Sequence, residues 1–285
     1  MSHFSVHWRF SAQSAQRLHR VPLYAPALFW IREGTKRLHN EGAPLSCPAG
    51  QCLAMPAGET QLMENLPNAS GYYQAEVFTP PRQWTERFLT HYGPQLPTQW
   101  QLTPDFACDA ELESQLLSLM ALQESTDPLA AARGEHCWQG ILLTLASHGL
   151  GAALFNLQPL NLSQRCRALL QLDLAHPWQA AELAAKLGLS ESSLRRGLRQ
   201  EQSSFSTLLS ELRLACAFNR VMTETTPLLA IALDCGFASP SRFSQNFRQR
   251  FGMSPSALRH SRGLHDEGIG DEEPKGRDSR CPVTV

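Results

Sequence analysis

One pattern occurs twice between Trp178 and Arg262, and it limits the fold more tightly than anything else in the chain. In the first copy, Leu183 and Leu187 mark the inner face of a short helix, and Gly188 permits a turn at positive φ at little cost. Ser190 is placed to cap the next helix, whose Leu194 and Leu198 lie four apart on one side. In the second copy, Leu228 to Leu233 is a short apolar helix ending at Gly236. Ser239-Pro240 then supplies an N-cap and a first-turn proline, and Phe243, Phe247 and Phe251 form the buried stripe. Ser254-Pro255 starts one last short helix. A helix, a tight turn and a capped second helix make up helix-turn-helix grammar, in which the second helix enters the major groove of DNA. Ser192, Ser193, Arg195, Arg196 and Arg199 avoid the leucine stripe of the first copy and are expected to face outward. Ser241, Arg242, Ser244, Gln245, Arg248 and Gln249 hold the same position in the second.

Between the copies runs Phe205 to about Glu224, with Phe205, Leu208, Leu209, Leu212, Cys216 and Asn219 along one side. Roughly 20 residues at ~1.5 Å rise give a rod of about 30 Å. Successive major grooves on one face of B-DNA lie ~34 Å apart, so one chain could present two reading helices to adjacent grooves.

Charge is distributed to match. Residues 1–159 carry 9 Lys/Arg against 13 Asp/Glu, whereas residues 160–262 carry 13 against 7. The formal net charge of -1 therefore hides a basic segment, as expected of a face that meets a polyanion. At 285 residues the chain suggests two domains, and 42% hydrophobic residues suffice for real cores. No run approaches the ~18 apolar residues of a membrane helix, and the first ten residues lack the apolar stretch of a secretory signal. The expectation is a cytoplasmic protein with no membrane partner. The eight cysteines form no Cys-x-x-Cys pair and no zinc-like spacing, so Cys166, Cys216 and Cys235 read as small buried hydrophobes.

Upstream, residues 1–80 read as β-rich: Ala27 to Arg32, Gln51 to Met55, Glu59 to Glu64 and Gly71 to Phe78 are short strand candidates punctuated by Pro and Gly. Even spacing of this kind suggests a sandwich or small barrel. From residue 81 to 150 the pattern turns helical, over Arg82–Tyr92, Ala110–Gln123 and Pro128–His148. Leu112, Leu116, Leu119 and Met120 share one stripe, and Trp138, Leu142 and Leu145 another. These stripes fit either packing onto the β domain or a dimer interface. Gly149–Pro159 reads as a connector, and residues 263–285, with almost no apolar content, read as disordered.

The C-terminal motifs also resemble a known family. Gly236-Phe237, Ser241-x-Phe243-x-x-x-Phe247-Arg248 and Gly252-x-Ser254-Pro255, ending at Arg259, look like the signature of arabinose-operon-type (AraC/XylS) regulators. Leu183-Ala184-x-x-Leu187, Ser190 and Leu194-x-Arg196, followed by Arg213 and Ala217, match its first half. The resemblance covers about 100 residues, and within the family the virulence and acid-stress regulators look nearest. It implies an α+β chain: residues 1–159 a cupin-like β-barrel or sandwich with flanking helices, for regulation and dimerisation, and residues 160–262 two helix-turn-helix units joined by a long helix. It implies a transcription regulator, an activator, with double-stranded DNA and RNA polymerase as partners, a homodimer as a further option, and a small-molecule or fatty-acid effector in some relatives. It also implies that Ser192, Arg195 and Arg196 read bases in one groove and that Ser241, Ser244, Gln245 and Arg248 face the next. Arginine pairs with guanine and glutamine with adenine, each good pair contributing ~1–3 kcal/mol of discrimination. The sequence departs from the pattern at Gly197, inside a recognition helix, at Pro240 and at Leu258.

Two other readings compete. Cupin-like barrels often hold catalytic metal on His-x-His sets, but Gly50 to Phe78 contains no His, and no nucleophile elbow or phosphate loop occurs. Neither an enzyme, a metal nor a cofactor is therefore expected. A small-molecule pocket in the β domain is the other reading, with Trp30, Lys36, Met55, Tyr72 and Phe78 as candidate liners and Arg20 or Arg37 as further basic groups for an acid.

Overall fold

The structure, a computed structural model, describes residues 6–39, 44–59, 62–101, 103–156 and 161–263. Ten strands come first: β1 (His7–Ala12), β2 (Gln16–His19), β3 (Pro22–Leu23), β4 (Ala27–Glu33), β5 (Thr35–His39), β6 (Leu45–Pro48), β7 (Gln51–Met55), β8 (Gly58–Glu59), β9 (Leu62–Leu66) and β10 (Tyr73–Phe78). Helix α1 (Arg82–Tyr92), strand β11 (Asp105–Ala107) and helices α2 (Ala110–Gln123), α3 (Ala130–Ser147) and α4 (Ala152–Phe155) complete the N-terminal half. Seven helices follow: α5 (Leu162–Leu170), α6 (Ala180–Lys186), α7 (Glu191–Gln200), α8 (Phe205–Thr223), α9 (Leu228–Asp234), α10 (Pro240–Phe251) and α11 (Pro255–His260).

The strands form a five-stranded sheet, β1-β10-β4-β7-β11, and a four-stranded sheet, β2-β9-β5-β6, with β3 and β8 paired separately. The sheets do not close on each other, so of the two expected β architectures the chain adopts the sandwich. Strand β4 shows why. Phe29 and Ile31 face the sandwich interior with Leu18, Leu38 and Met63 of the other sheet, while Leu28 and Trp30 face α1–α4. A strand covered on both sides reads as an unbroken apolar run, as Ala27–Ile31 does. Each such large side chain removed from water contributes ~1.5–3 kcal/mol.

The two helical stripes read from the sequence lie inside this second core. Leu112, Leu116, Leu119, Trp138, Leu142 and Leu145 are each 2% exposed or less, against Leu28, Trp30 and Phe78. They are thus used in packing onto the sheet. Helix α2 starts where Asp109 accepts a hydrogen bond from the Leu112 amide, at 2.9 Å.

Helix α8 serves two cores on different sides. Its first half sends Leu208, Leu209 and Leu212 into a cluster with Cys166, Leu170, Leu183, Leu194 and Leu198. Its second half sends Leu214, Ala217, Phe218, Val221 and Met222 toward Phe243, Phe247, Phe251 and Leu258. The stripe expected to continue through Asn219 instead rotates: Asn219 is exposed and Cys216 half-buried. That second cluster is continuous with the sandwich interior. The contact is polar at its edge, where the Gln13 amide donates to the Ser261 carbonyl (2.6 Å) and Gln16 Nε2 to Ser261 Oγ (2.8 Å). The expected boundary near residue 159 falls within 157–160, outside the described residues, as does the tail expected to be disordered over 263–285 apart from Gly263, whose amide donates to the His260 carbonyl in a turn. Cys166 and Cys235 are fully buried, and burial pushes the Cys166 thiol up to about 11.

Candidate nucleic-acid interface and the cavities behind it

Helix α7 begins where Ser190 Oγ accepts from the Ser193 amide at 3.1 Å. Leu194 and Leu198 are buried against Leu183, Ala184 and α8, which turns the opposite face to solvent. Ser192, Arg195, Arg196 and Arg199 are exposed there, and Ser193 is half-buried beneath the cap. Arg195 is paired within the helix to Glu191 at 2.6 Å, a weak exposed pair of ~0.3–0.5 kcal/mol that is readily given up.

Gly197, which departs from the family pattern and costs up to ~1 kcal/mol in helix propensity relative to alanine, has a reason in the fold. The Leu162 side chain of α5 lies where its Cβ would be. Beside it, the Glu201 carboxylate accepts from the Leu162 and Ser163 amides at 2.9 and 2.8 Å. Burial works against that charge, yet hydrogen bonds from Ser163 and Leu162 hold the Glu201 pKa below the ordinary value. Helix α5 is thus fastened to α7. No sequence signal marks Glu201, because the bonds link positions 39 and 38 residues apart.

The second unit is built alike. Ser239 Oγ accepts from the Arg242 amide and Pro240 occupies the first turn, where its missing N–H is no loss. Phe243, Phe247 and Phe251 are fully buried, leaving Ser241, Arg242, Gln245, Arg248 and Gln249 exposed and Ser244 half-buried. Leu258 fills the same core. Gly236, at φ +83°, ends α9 where any side chain would run into the Leu174 carbonyl and the Arg213 guanidinium. Arg213 itself donates to the carbonyls of Leu174 (3.0 Å) and His176 (3.1 Å), so this arginine clamps the first unit's lead-in to α8.

Ser192, Arg196 and Arg199 lie at i, i+4 and i+7 on α7; Ser241, Gln245 and Arg248 repeat that spacing on α10. Each helix therefore carries one outward stripe opposite its apolar one. The 19 residues of α8 give a strut of about 28 Å between the units.

Two cavities lie where the halves meet. One, of about 430 Å³, sits between the sandwich and α8 and is lined mainly by apolar groups, among them Phe10, Leu18, Val21, Phe29, Phe218 and Met222, with Asn65, Thr79, Gln171 and Asn219 as polar members. The other, of about 480 Å³, lies between α1, α3 and α4 on one side and α5 on the other. None of the five residues expected from the sequence to line a pocket borders either one. Trp30 and Phe78 are in the helix-covered core, Met55 is in the sandwich core, and Tyr72 is 51% exposed. Lys36 is buried one bond behind the first cavity: its Nζ donates to Asn65 Oδ1 at 2.7 Å, and Asn65 Nδ2 to Gln16 Oε1 at 2.7 Å. Arg20 and Arg37 border neither cavity.

Comparison with known proteins agrees with this construction. Residues 183–261 match a helix-turn-helix domain family. The transcriptional regulator YdeO of Shigella flexneri is 40% identical over 99 residues, and the regulator GadX of Escherichia coli (strain K12) is 35% identical over 100. These matches cover 35% of this chain, and 39% and 36% of the two regulators. The fold of nearly the whole chain is that of ToxT from Vibrio cholerae strain SCE256, solved with an unsaturated fatty acid bound: TM-score 0.63 at 16% identity, covering 94% of this chain and 100% of ToxT. An apo variant of ToxT superposes with a TM-score of 0.65 at 14% identity, covering 92% of this chain and 100% of that one.

Proposed function

We propose that this chain, whose residues 183–261 match a helix-turn-helix domain family, is an AraC-type, sequence-specific transcription regulator that sets α7 and α10 into successive major grooves. The carrying observation is the pair of capped helices on one strut, each with its apolar stripe buried and a Ser/Arg/Gln stripe exposed. Arg196, Arg199 and Arg248 supply guanine or phosphate contacts and Gln245 an adenine contact, with Ser192, Ser193, Arg195, Ser241, Arg242 and Ser244 alongside. In this reading the protein works in the cytoplasm as an activator in contact with RNA polymerase, and dimerises where its operator is two-fold.

The test is a mobility-shift titration against a site selected from random genomic fragments, at fixed salt. Arg196→Ala and Arg248→Ala should each weaken specific binding by ~1–3 kcal/mol, and the double variant should reduce it to the non-specific level. Unchanged affinity together with an unchanged salt slope would sink the reading.

A fatty-acid effector is supported by the apolar 430 Å³ cavity. An acyl chain there would press on Phe218 and Met222 of α8, and an acid group reaching Asn65 would meet Lys36 one hydrogen bond away. A 16-carbon monounsaturated fatty acid should then change operator affinity, and Ala215→Trp, which fills the cavity, should remove the effect.

A further inference from the structure

The 480 Å³ cavity is distinct in chemistry from its neighbour. Its lining includes two arginines, Arg82 and Arg167, and no aspartate or glutamate. It also includes three side chains with a buried polar atom that has no hydrogen-bond partner among the described residues: Tyr24 Oη, Trp138 Nε1 and Arg167 Nη1. Trp138 is fully buried. An indole N–H and a guanidinium can only donate, so what satisfies them must be an acceptor. The Arg167 guanidinium stacks on the Tyr24 ring at 4.7 Å and uses its other terminal nitrogen, Nη2, to hold Glu211 at 2.9 Å, which leaves Nη1 for a second anion. Pro26, Pro56, Ala57 and Leu154 make part of the wall apolar, and Thr85, Asn156, Gln164 and Gln171 add uncharged polar groups. The volume falls within the ~300–1,000 Å³ of small-molecule sites.

We infer that this cavity is an effector site for an organic anion with an apolar body, its charged end held by Arg167 with Trp138 and Tyr24 as neutral donors. The site is separate from the apolar cavity against α8 and does not depend on it, although Tyr24, Ala25 and Gln171 border both. Its walls belong to both halves of the chain. Arg167 sits on α5, which is fastened to α7 through Glu201 and through Leu162 seated on Gly197. An anion drawing on Arg167 therefore acts on the helix that carries Arg196, by a route of direct contacts.

The experiment is calorimetric titration of the full chain with 1-naphthoate and with its neutral analogue 1-naphthamide, with circular dichroism of every variant. Saturable binding of the acid is expected, with the amide weaker by about tenfold or more because the charge-assisted bond is gone. Arg167→Gln should cost the acid a similar factor, whereas Glu211→Gln, which removes the competing carboxylate, should leave the affinity equal or higher. Trp138→Phe should weaken binding several-fold, and Ala215→Trp should leave it unchanged. The inference is overturned by no saturable binding of the acid, by equal binding of acid and amide, by parallel losses in Arg167→Gln and Glu211→Gln (a purely structural role for the pair), or by loss of binding in Ala215→Trp. The acid–amide comparison needs no variant and stands even if a substituted chain fails to fold.

Discussion

Lys36 illustrates how much a single inward-facing charge can set. It is 1% exposed, with its Nζ 2.7 Å from Asn65 Oδ1 and above the rings of Phe29 and Tyr73 at 5.0 and 5.6 Å. Burial pushes its pKa from 10.5 down to about 7. In that interval the unfolded chain holds a proton that the folded chain has released, so stability rises with pH. The slope from one such group is about 1.4 kcal/mol per pH unit, and it vanishes once both states are neutral. Lys36→Met should therefore flatten the rise in denaturant midpoint between about pH 7 and pH 9, and raise stability at the lower end. Equal slopes in the two chains would refute this. The same residue shows what the sequence conceals. In Thr35–His39 the inward positions are Lys36 and Leu38, so alternation there reads as polar and the strand escapes notice. Lys36 was legible as a basic group for an acid, but not as a buried one. By contrast, the exposed positions of the arginines on α7 and α10 were legible, because leucine or phenylalanine every fourth position leaves them no other face, whereas Ser193 and Ser244, expected outside, are half-buried.

At the level of elements, what joins them was harder to read than the elements themselves. Helices α1, α2 and α8 run close to where periodicity put them, since their apolar stripes and caps are local. Helix α5 depends on both kinds of information. Asn161 and Gln164 form a capping box at its start, but two of its free amides are held by Glu201 from the end of α7. Glu201→Ala removes that acceptor and should cost about 1 kcal/mol of stability, in the range of a lost cap. It should also loosen α5 from α7, seen as faster amide exchange at Leu162 and Ser163. The carboxylate's depressed pKa gives the pH sign: its contribution is present above the ordinary carboxylate value and is lost as pH falls through the lower folded one. A variant that leaves exchange at α5 untouched would mean the bonds contribute nothing.

On the scale of the whole molecule, the chain divides differently from the way its sequence repeats. The two helix-turn-helix copies look equivalent, yet the first has a core of its own, around Leu183, Leu194, Leu198 and Leu208, while the second completes the interior of the β sandwich. Phe218 is the hinge of that arrangement, 4% exposed, with its ring 4.7 Å from Phe251 and 6.3 Å from Phe247, and bordering the apolar cavity. Long-range contacts of this kind leave no trace in local pattern, because a phenylalanine buried against its own unit and one buried against a distant sheet are spaced alike. The consequence is measurable. Phe218→Ala should cost ~3–5 kcal/mol and should raise amide exchange together in β2, β9 and α10, since one shared core opens as a unit. Leu198→Ala should cost ~2–5 kcal/mol and raise exchange in α5, α6 and α7 while sparing the sandwich. If both variants opened the same amides, the two helix-turn-helix units would rest on a single core. An effector in the sandwich cavity would then have no means of moving one without the other.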